Sequence, residues 1–131
     1  MLDIQTDAQG PADCVTIRLT GDATLREIDA LQLHLRRVGS SHPRRVIIDL
    51  SRVGFMASLA LGTLVEFTSG VKTRDGRVAI AGATGMNLDA IRRSRLDTLF
   101  VMSESVDAAA NSLRQLLPPH DAAAESTTQR L

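Results

Sequence analysis

Few side chains in this sequence are candidates for catalysis, ligand binding or modification, and Ser58 is the first of them. Ser58 lies within VGFMASLALGTL (53–64), between an apolar segment and residues typical of a helix start. A serine there can act as an N-cap, because its hydroxyl accepts a hydrogen bond from an amide two or three residues further on. It can also be a phosphorylation site, because the free amides and the positive dipole end of a helix favour a phosphate. The two interpretations are compatible.

The other candidate groups form no catalytic or metal-binding pattern. Cys14, the only cysteine, excludes an internal disulfide and is interpreted as a small, half-buried thiol in the strand CVTIRLTG. No cluster of cysteines and histidines has the spacing of a zinc site, and the histidines, interpreted as surface residues, are scattered at His34, His42 and His120. Gly82 and Gly85 follow an apolar strand but lack the rest of a dinucleotide-binding fingerprint. We therefore predict a protein without enzymatic activity, cofactor or metal.

The composition suits one globular domain with no general attraction to nucleic acid. The chain has 131 residues, 44% of them hydrophobic, and its 15 basic residues balance 15 acidic ones. Such a length can bury a core without disulfides or metal, and zero net charge does not favour a nucleic-acid partner. The basic cluster at Arg92, Arg93 and Arg95 is interpreted as a solvated helix face. Because no signal peptide or membrane-spanning run is recognisable, we expect a cytoplasmic location without direct membrane insertion.

Strand and helix patterns alternate before and after Ser58. Period-two alternation around a turn predicts an initial hairpin, and apolar residues at helical spacing after each later strand predict crossover helices. The predicted strands cover 2–6, 15–19, 45–50, 78–82 and 99–102, and the helices begin near Thr24, Ser58, Asn87 and Ser105. The apolar run RVIIDL (45–50) favours a strand covered on both faces. The order β-β-α-β-α-β-α-β-α predicts an α/β fold, with a mixed sheet of four or five strands and about four helices.

Particular residues are expected to begin and end the helices. Thr24 and Glu27 have the spacing of a capping box at the start of the first helix, and Gly39 is expected to end it. Ser105 offers a cap for the last helix.

Two prolines, at positions 118 and 119, are expected to stop the last helix. The segment that follows them has no periodic apolar face. The predicted organisation is therefore a single domain at 1–117 and a flexible C-terminal tail at 118–131.

The stretches around and after Ser58 resemble a known family. RRVIIDLSRVGFMASLALGTLVEF (44–67), VAIAGA (78–83) and RLDTLFVMSESVDAA (95–109) are similar to the STAS domain, over about residues 3–117. This is the fold of anti-sigma factor antagonists and of regulatory modules attached to anion transporters. In the regulatory members, a partner-switching kinase phosphorylates a Ser or Thr that follows an Asp in this loop. The resemblance places Ser58 at that position.

Several residues depart from the family pattern. Ala57 stands where the family has Asp, and Leu59 and Ala60 stand where a second Ser or Thr and a Gly follow. Two explanations of Ala57 stay open: the kinase does not need the carboxylate, or the loop binds a partner without being switched. Arg95 stands where a glycine with positive φ is usual, which costs up to about 1 kcal/mol or changes the turn.

The resemblance implies a protein-interaction module, for which two functions stay open. In the first, an anti-sigma factor antagonist-like protein binds a kinase-type anti-sigma factor through Met56, Ala57, Ser58, Leu59 and Gly62. An exposed Met56 and Leu59 would suggest such a contact, and the alternative is that both turn into the core. In the second, a stand-alone STAS subunit of a membrane-associated lipid or anion transport complex docks on an ATPase subunit without being phosphorylated. A small-ligand sensor is a third class.

Overall fold

Five strands form one sheet in the computed structural model, which describes residues 2–8, 10 and 14–118. The strands are β1 (Leu2–Asp7), β2 (Val15–Ala23), β3 (Arg45–Met56), β4 (Arg77–Ala81) and β5 (Val101–Ser103). The helices are α1 (Ile28–Gly39), α2 (Ser58–Thr73), α3 (Gly85–Arg93) and α4 (Val106–Leu116), with 3-10 turns at Leu25–Glu27 and Leu96–Thr98. In the sheet the strands follow their order in the chain, β1-β2-β3-β4-β5.

The strand pairing is antiparallel at the start and parallel thereafter. β1 pairs antiparallel with β2, so that Ile4 lies opposite Leu19. The pairs β2–β3, β3–β4 and β4–β5 are all parallel. Parallel neighbours need a crossover connection, which α1, α2 and α3 supply. The predicted α/β fold, its initial hairpin and its order of elements are confirmed.

The sheet buries each of its faces against different helices. One face, which includes Leu19 and Ile48, packs against α1, α2 and α3. The other face, which includes Ile47 and Ala79, packs against α4. Each parallel strand is added on the same side of the previous one. Right-handed crossover connections therefore place α1, α2 and α3 on one face of the sheet, and α4 covers the other face. Ile47 and Ile48 are both 0% exposed, as predicted for a strand covered on both faces.

Cys14 is buried more deeply than the sequence indicated. It lies immediately before β2 and is 0% exposed, in the core that α4 covers together with Ile47 and Leu113. The prediction of a half-buried thiol within a strand is therefore wrong. Alternation along β2 shows which face a residue occupies, but it does not show how far α4 extends over that face.

The Thr24 side chain does not form its half of the predicted capping box at the start of α1. Thr24 makes no side-chain cap hydrogen bond. Instead, the backbone amide of Glu27 donates to the Thr24 carbonyl at 3.0 Å, which uses the amide that the Thr24 hydroxyl would have bonded. The first turn is consequently a 3-10 turn, and α1 begins only at Ile28. At α4 the predicted cap is present, because Ser105 Oγ accepts from the Ala108 amide at 3.1 Å.

The ends of two helices agree with prediction. Gly39 is the last residue of α1. After α3, Arg95 adopts the left-handed conformation, with φ 59° and ψ 24°. The turn thus keeps the geometry that a glycine would favour. Because arginine has a Cβ, this conformation is unfavourable for Arg95.

The predicted flexible tail, which includes His120, lies almost wholly outside the described residues and stays a prediction. The described helices include none with the length and apolar character that crossing a membrane requires.

Candidate functional site

Ser58 is the first residue of α2 and not its N-cap. β3 continues to Met56, well beyond the predicted end of this strand at residue 50, and only Ala57 separates it from α2. Ala57 is the extended N-cap residue, with φ −66° and ψ 152°, and no side chain caps the helix. The Ala57 carbonyl accepts the first helical hydrogen bond from the Leu61 amide at 3.1 Å. The prediction that Ser58 is the N-cap is therefore wrong.

The pairing between β2 and β3 determines where α2 begins. Ala23 lies opposite Met56 in the parallel register, and the Ala57 amide donates to the Ala23 carbonyl at 2.8 Å. This hydrogen bond holds Ala57 in an extended conformation, so the helix starts at Ser58. Because the methyl group of Ala57 offers no acceptor, the amides in the first turn of α2 lack a side-chain cap.

Two side chains from neighbouring elements hold the end of β3. Asp22 in β2 accepts a hydrogen bond through Oδ1 from the Phe55 amide at 2.9 Å. Asn87 in α3 donates through Nδ2 to the carbonyls of Val53 at 3.2 Å and Gly54 at 3.4 Å. A Cβ at Gly54 would lie 2.8 Å from Asp22 Oδ1, so the glycine allows this close approach. The strand end that leads to α2 is therefore held from both sides.

Sequence reasoning missed Asp22 and Asn87. The sequence did contain a signal for Asp22. Aspartate is uncommon within strands, and Asp22 follows Gly21 inside β2. The partners of Asp22 and Asn87 lie in β3, far along the chain. Only the folded arrangement identifies them.

Large apolar side chains are exposed to solvent on the elements that meet at the end of β3 and the start of α2. They come from the first 3-10 turn, β3, α2 and α3, and we call them the apolar rim: Leu25 (64% exposed), Phe55 (49%), Leu59 (62%) and Met86 (75%). Leu25 and Phe55 line one shallow depression together with Ala57. Met86 precedes Asn87, which bonds the end of β3. Apolar exposure concentrated in this way is typical of a protein contact surface.

The predicted partner-binding residues lie at the junction of β3 and α2. Ser58, Leu59 and Gly62 are exposed, whereas Met56 and Ala57 are half-buried. Met56 packs against the main core, so of the two side chains whose orientation was open, Met56 turns inward and Leu59 outward. Ser58 and Gly62 are four residues apart and therefore face the same side of α2. A Cβ at Gly62 would meet nothing within 4 Å, which leaves this side of the helix open.

The electrostatic setting of Ser58 is that of an uncapped helix start. α2 has 16 residues and no acidic residue in its first turn, so the positive end of its dipole is not offset from within the helix. Across residues 2–8, 10 and 14–118, no group of three or more His, Cys, Asp or Glu side chains could hold a metal ion. The arrangement offers an exposed, modifiable hydroxyl next to an apolar contact surface.

Comparisons with known proteins agree with this architecture. The family model described as "Mlab, STAS domain" matches residues 6–104. Among solved structures, an anti-sigma factor antagonist from Mycobacterium paratuberculosis has a TM-score of 0.79 at 19% identity, with 87% of this chain and 95% of that chain covered. The phosphorylated form of the Bacillus cell fate determinant SpoIIAA has a TM-score of 0.69 at 17% identity, with 86% and 100% covered.

A third similar structure belongs to a differently described protein. A sulfate transporter family protein from Wolinella succinogenes has a TM-score of 0.68 at 16% identity, with 86% of this chain and 99% of that chain covered. Identities this low establish a shared fold alone. The family model, in contrast, extends over most of the sequence, and the chain therefore belongs to the STAS domain family.

Proposed function

We propose that this STAS domain is a non-enzymatic regulatory module, similar to anti-sigma factor antagonists, that binds a kinase-type anti-sigma factor in the cytoplasm. Its contact surface comprises Met56, Ala57, Ser58, Leu59 and Gly62, extended by the apolar rim. The observation that carries the proposal is the 62% exposure of Leu59 directly beside the exposed Ser58. A large apolar side chain in water next to a modifiable hydroxyl suits a contact that a phosphate can switch.

Phosphorylation of Ser58 would regulate this contact through charge. A phosphate adds about −1.5 to −2 charge at neutral pH. The uncapped amides of α2 can accommodate that charge without unfolding the domain, whereas an apolar or acidic partner surface seated on Leu59 cannot. A hundredfold loss of affinity needs only about 2.7 kcal/mol, which one phosphate at the centre of a contact can supply.

Calorimetric titration with a kinase-type anti-sigma factor from the same organism tests the contact surface. Leu59→Ala should weaken binding about tenfold or more, because it removes an apolar anchor from the centre of the surface. The matched control is Leu33→Ala, since Leu33 is also exposed, at 49%, but lies in α1 outside the apolar rim. Equal effects of the two substitutions would contradict the proposed surface.

Intact mass after incubation with the same partner and ATP tests the switch. The proposal expects one added phosphate, and none in Ser58→Ala. Ser58→Asp should bind the partner more weakly than Ser58→Ala does. If no phosphate is added and Ser58→Asp binds like the wild type, Ser58 is not a switch.

A second function is favoured by one observation, the alanine at position 57. With Ala57 as N-cap and no acidic residue in the first turn, the site lacks the carboxylate that precedes the phosphorylated residue in the regulatory members. In this alternative the same surface docks on the ATPase subunit of a lipid or anion transport complex, without phosphorylation. This alternative predicts that the protein binds such a subunit and that added ATP does not change the affinity. Leu59→Ala should abolish this binding, and Leu33→Ala should leave it unchanged.

A further inference from the structure

A groove between α1 and α2 extends from Thr63 towards the C-terminal end of α2. It encloses about 320 Å³ and is lined by the end of α1, the loop after it and residues along α2. Its apolar part includes Leu35, Phe67 and Val71, of which Leu35 is 3% and Val71 5% exposed. Gly70 also lines the groove, and a Cβ there would meet nothing within 4 Å. The groove is therefore an open space above an apolar base.

Two guanidinium groups border this space from opposite helices. Arg36 lies in the last turn of α1 and Arg74 at the C-terminal cap of α2, and both line the groove. Glu66 is the carboxylate among the lining residues. Within residues 2–8, 10 and 14–118, neither arginine forms an ion pair. The groove consequently carries an excess of positive charge that its own side chains do not neutralise.

The carbonyl groups at the end of α1 carry the negative end of the helix dipole, and an anion in this groove therefore relies on the positive charge of Arg36 and Arg74. These carbonyl groups already accept hydrogen bonds from the amides and hydroxyls of residues 40–42. Arg74 Nη1 donates to the Gly39 carbonyl at 3.2 Å, which anchors the Arg74 side chain beside the groove. A guanidinium carries five N–H donors, so this hydrogen bond leaves others available to a ligand.

We propose that this groove binds a small anionic amphiphile, namely a monocarboxylate with an alkyl chain of medium length. The alkyl chain contacts Leu35, Phe67 and Val71. The carboxylate accepts charge-assisted hydrogen bonds from Arg36 and Arg74. The volume of about 320 Å³ has room for about ten water molecules, at about 30 Å³ each, so a ligand of about ten heavy atoms fills it. Octanoate matches this size and charge.

Most of this site lies further along α2 than the surface around Ser58, although its lining begins at Thr63, next to Gly62. Gly70 lies about 18 Å further along α2 than Ser58, at about 1.5 Å per residue. Ligand binding here does not depend on the proposed partner or on phosphorylation.

Titration of octanoate into the isotope-labelled full-length protein, followed by amide NMR spectra, tests the proposal. The amides of Gly39 and Gly70 should shift saturably, with a Kd of about 1 mM or tighter. Acetate has the charge but no chain and should cause no such shift. 1-Octanol has the chain but no charge and should bind at least about threefold more weakly.

A pair of glycine substitutions on one helix provides the matched control. Gly70→Leu places a side chain in the groove and should abolish the octanoate shifts. Gly62→Leu makes the same change at another position where a Cβ meets nothing within 4 Å, and it should leave octanoate binding intact while weakening the protein partner. Arg36→Gln should weaken octanoate binding about two- to fivefold.

Three results would overturn the proposal. The first is the absence of saturable shifts at Gly39 and Gly70 in a folded protein. The second is unchanged octanoate affinity in Gly70→Leu. The third is equal affinity for octanoate and 1-octanol, which would show that the carboxylate does not contribute to binding and that the ligand need not be an anion. Because Gly62→Leu reports on the partner surface and Gly70→Leu on the groove, failure of one proposal is distinguishable from failure of the other.

Discussion

Asp22 in β2 accepts a hydrogen bond from the backbone amide of Phe55 in β3, at 2.9 Å. The bond lies where the β2–β3 register shifts between Gly21 and Ala23, so a side chain there replaces a regular ladder bond. It holds Phe55 at the end of the strand, close to the helix start at Ser58. Asp22 thereby connects the parallel sheet to the proposed contact surface.

Asp22→Ala should lower the free energy of unfolding by about 1 kcal/mol, because the Phe55 amide loses its acceptor. Asp22→Asn keeps an acceptor oxygen in the same place and should cost less than half as much. Urea unfolding measures both. Equal losses in the two variants would show that the charge of Asp22, rather than this hydrogen bond, matters for stability.

Ala57→Ser should raise the free energy of unfolding by about 1 kcal/mol, because position 57 is the true N-cap of α2 and has no acceptor. Ser58→Ala should change stability by less than about 0.5 kcal/mol, since Ser58 makes no cap. Thermal and urea unfolding of both variants test this. A loss of about 1 kcal/mol in Ser58→Ala would instead restore Ser58 as the capping residue.

Arg95→Gly should stabilise the protein by about 1 kcal/mol, because Arg95 has a φ of 59°, which a residue with a Cβ adopts at a cost. The neighbouring Ser94 has a φ of −85° and serves as the control. Ser94→Gly should destabilise the protein by about 0.5–1 kcal/mol, because it only adds freedom to the unfolded chain. Loss of stability in both variants would contradict the strain at Arg95.

Stability should decrease in mild acid because of His34. Burial and, to a lesser extent, the Arg37 guanidinium lower the pKa of His34 below its ordinary value of 6.5, and its Nε2 contacts the Thr6 hydroxyl in β1. The unfolded chain therefore takes up this proton first. The stabilisation is complete above about pH 6.5 and is lost as the pH falls from there towards the lower pKa of the folded state.

Urea unfolding at a series of pH values between about 7.5 and 5 measures this slope. His34→Gln should flatten it. Arg37→Gln should reduce it only in part, because burial is the larger cause. An unchanged slope in His34→Gln would assign the pH dependence to other groups.

Elements with strong periodicity were predictable from the sequence, and elements set by distant contacts were not. The run RVIIDL predicts the buried part of β3, where Ile47 and Ile48 are both 0% exposed. The strand nevertheless continues to Met56, because β2 pairs with it as far as Ala23 and because Asp22 and Asn87 hold its end.

The position of Ser58 shows the same limit at the site. A local rule ranks serine above alanine as an N-cap, yet Ala57 is the cap residue because its amide bonds the Ala23 carbonyl at 2.8 Å. The outward orientation of Leu59 and the exposure of Leu25 and Met86 likewise depend on how separate elements meet. Sequence located the junction of β3 and α2, and the fold determined which of its side chains reach solvent.

Because each strand pairs with the strand that precedes it in the chain, the sheet can grow stepwise as the polypeptide leaves the ribosome. Each step closes a single connection, which keeps the entropy cost of every pairing small. The second face of β3 is an exception, since it is covered by α4, which follows all five strands in the chain. A nascent chain that has not yet released α4 therefore exposes Ile47 and Ala79 to solvent, and this interval is when the protein is most prone to aggregate.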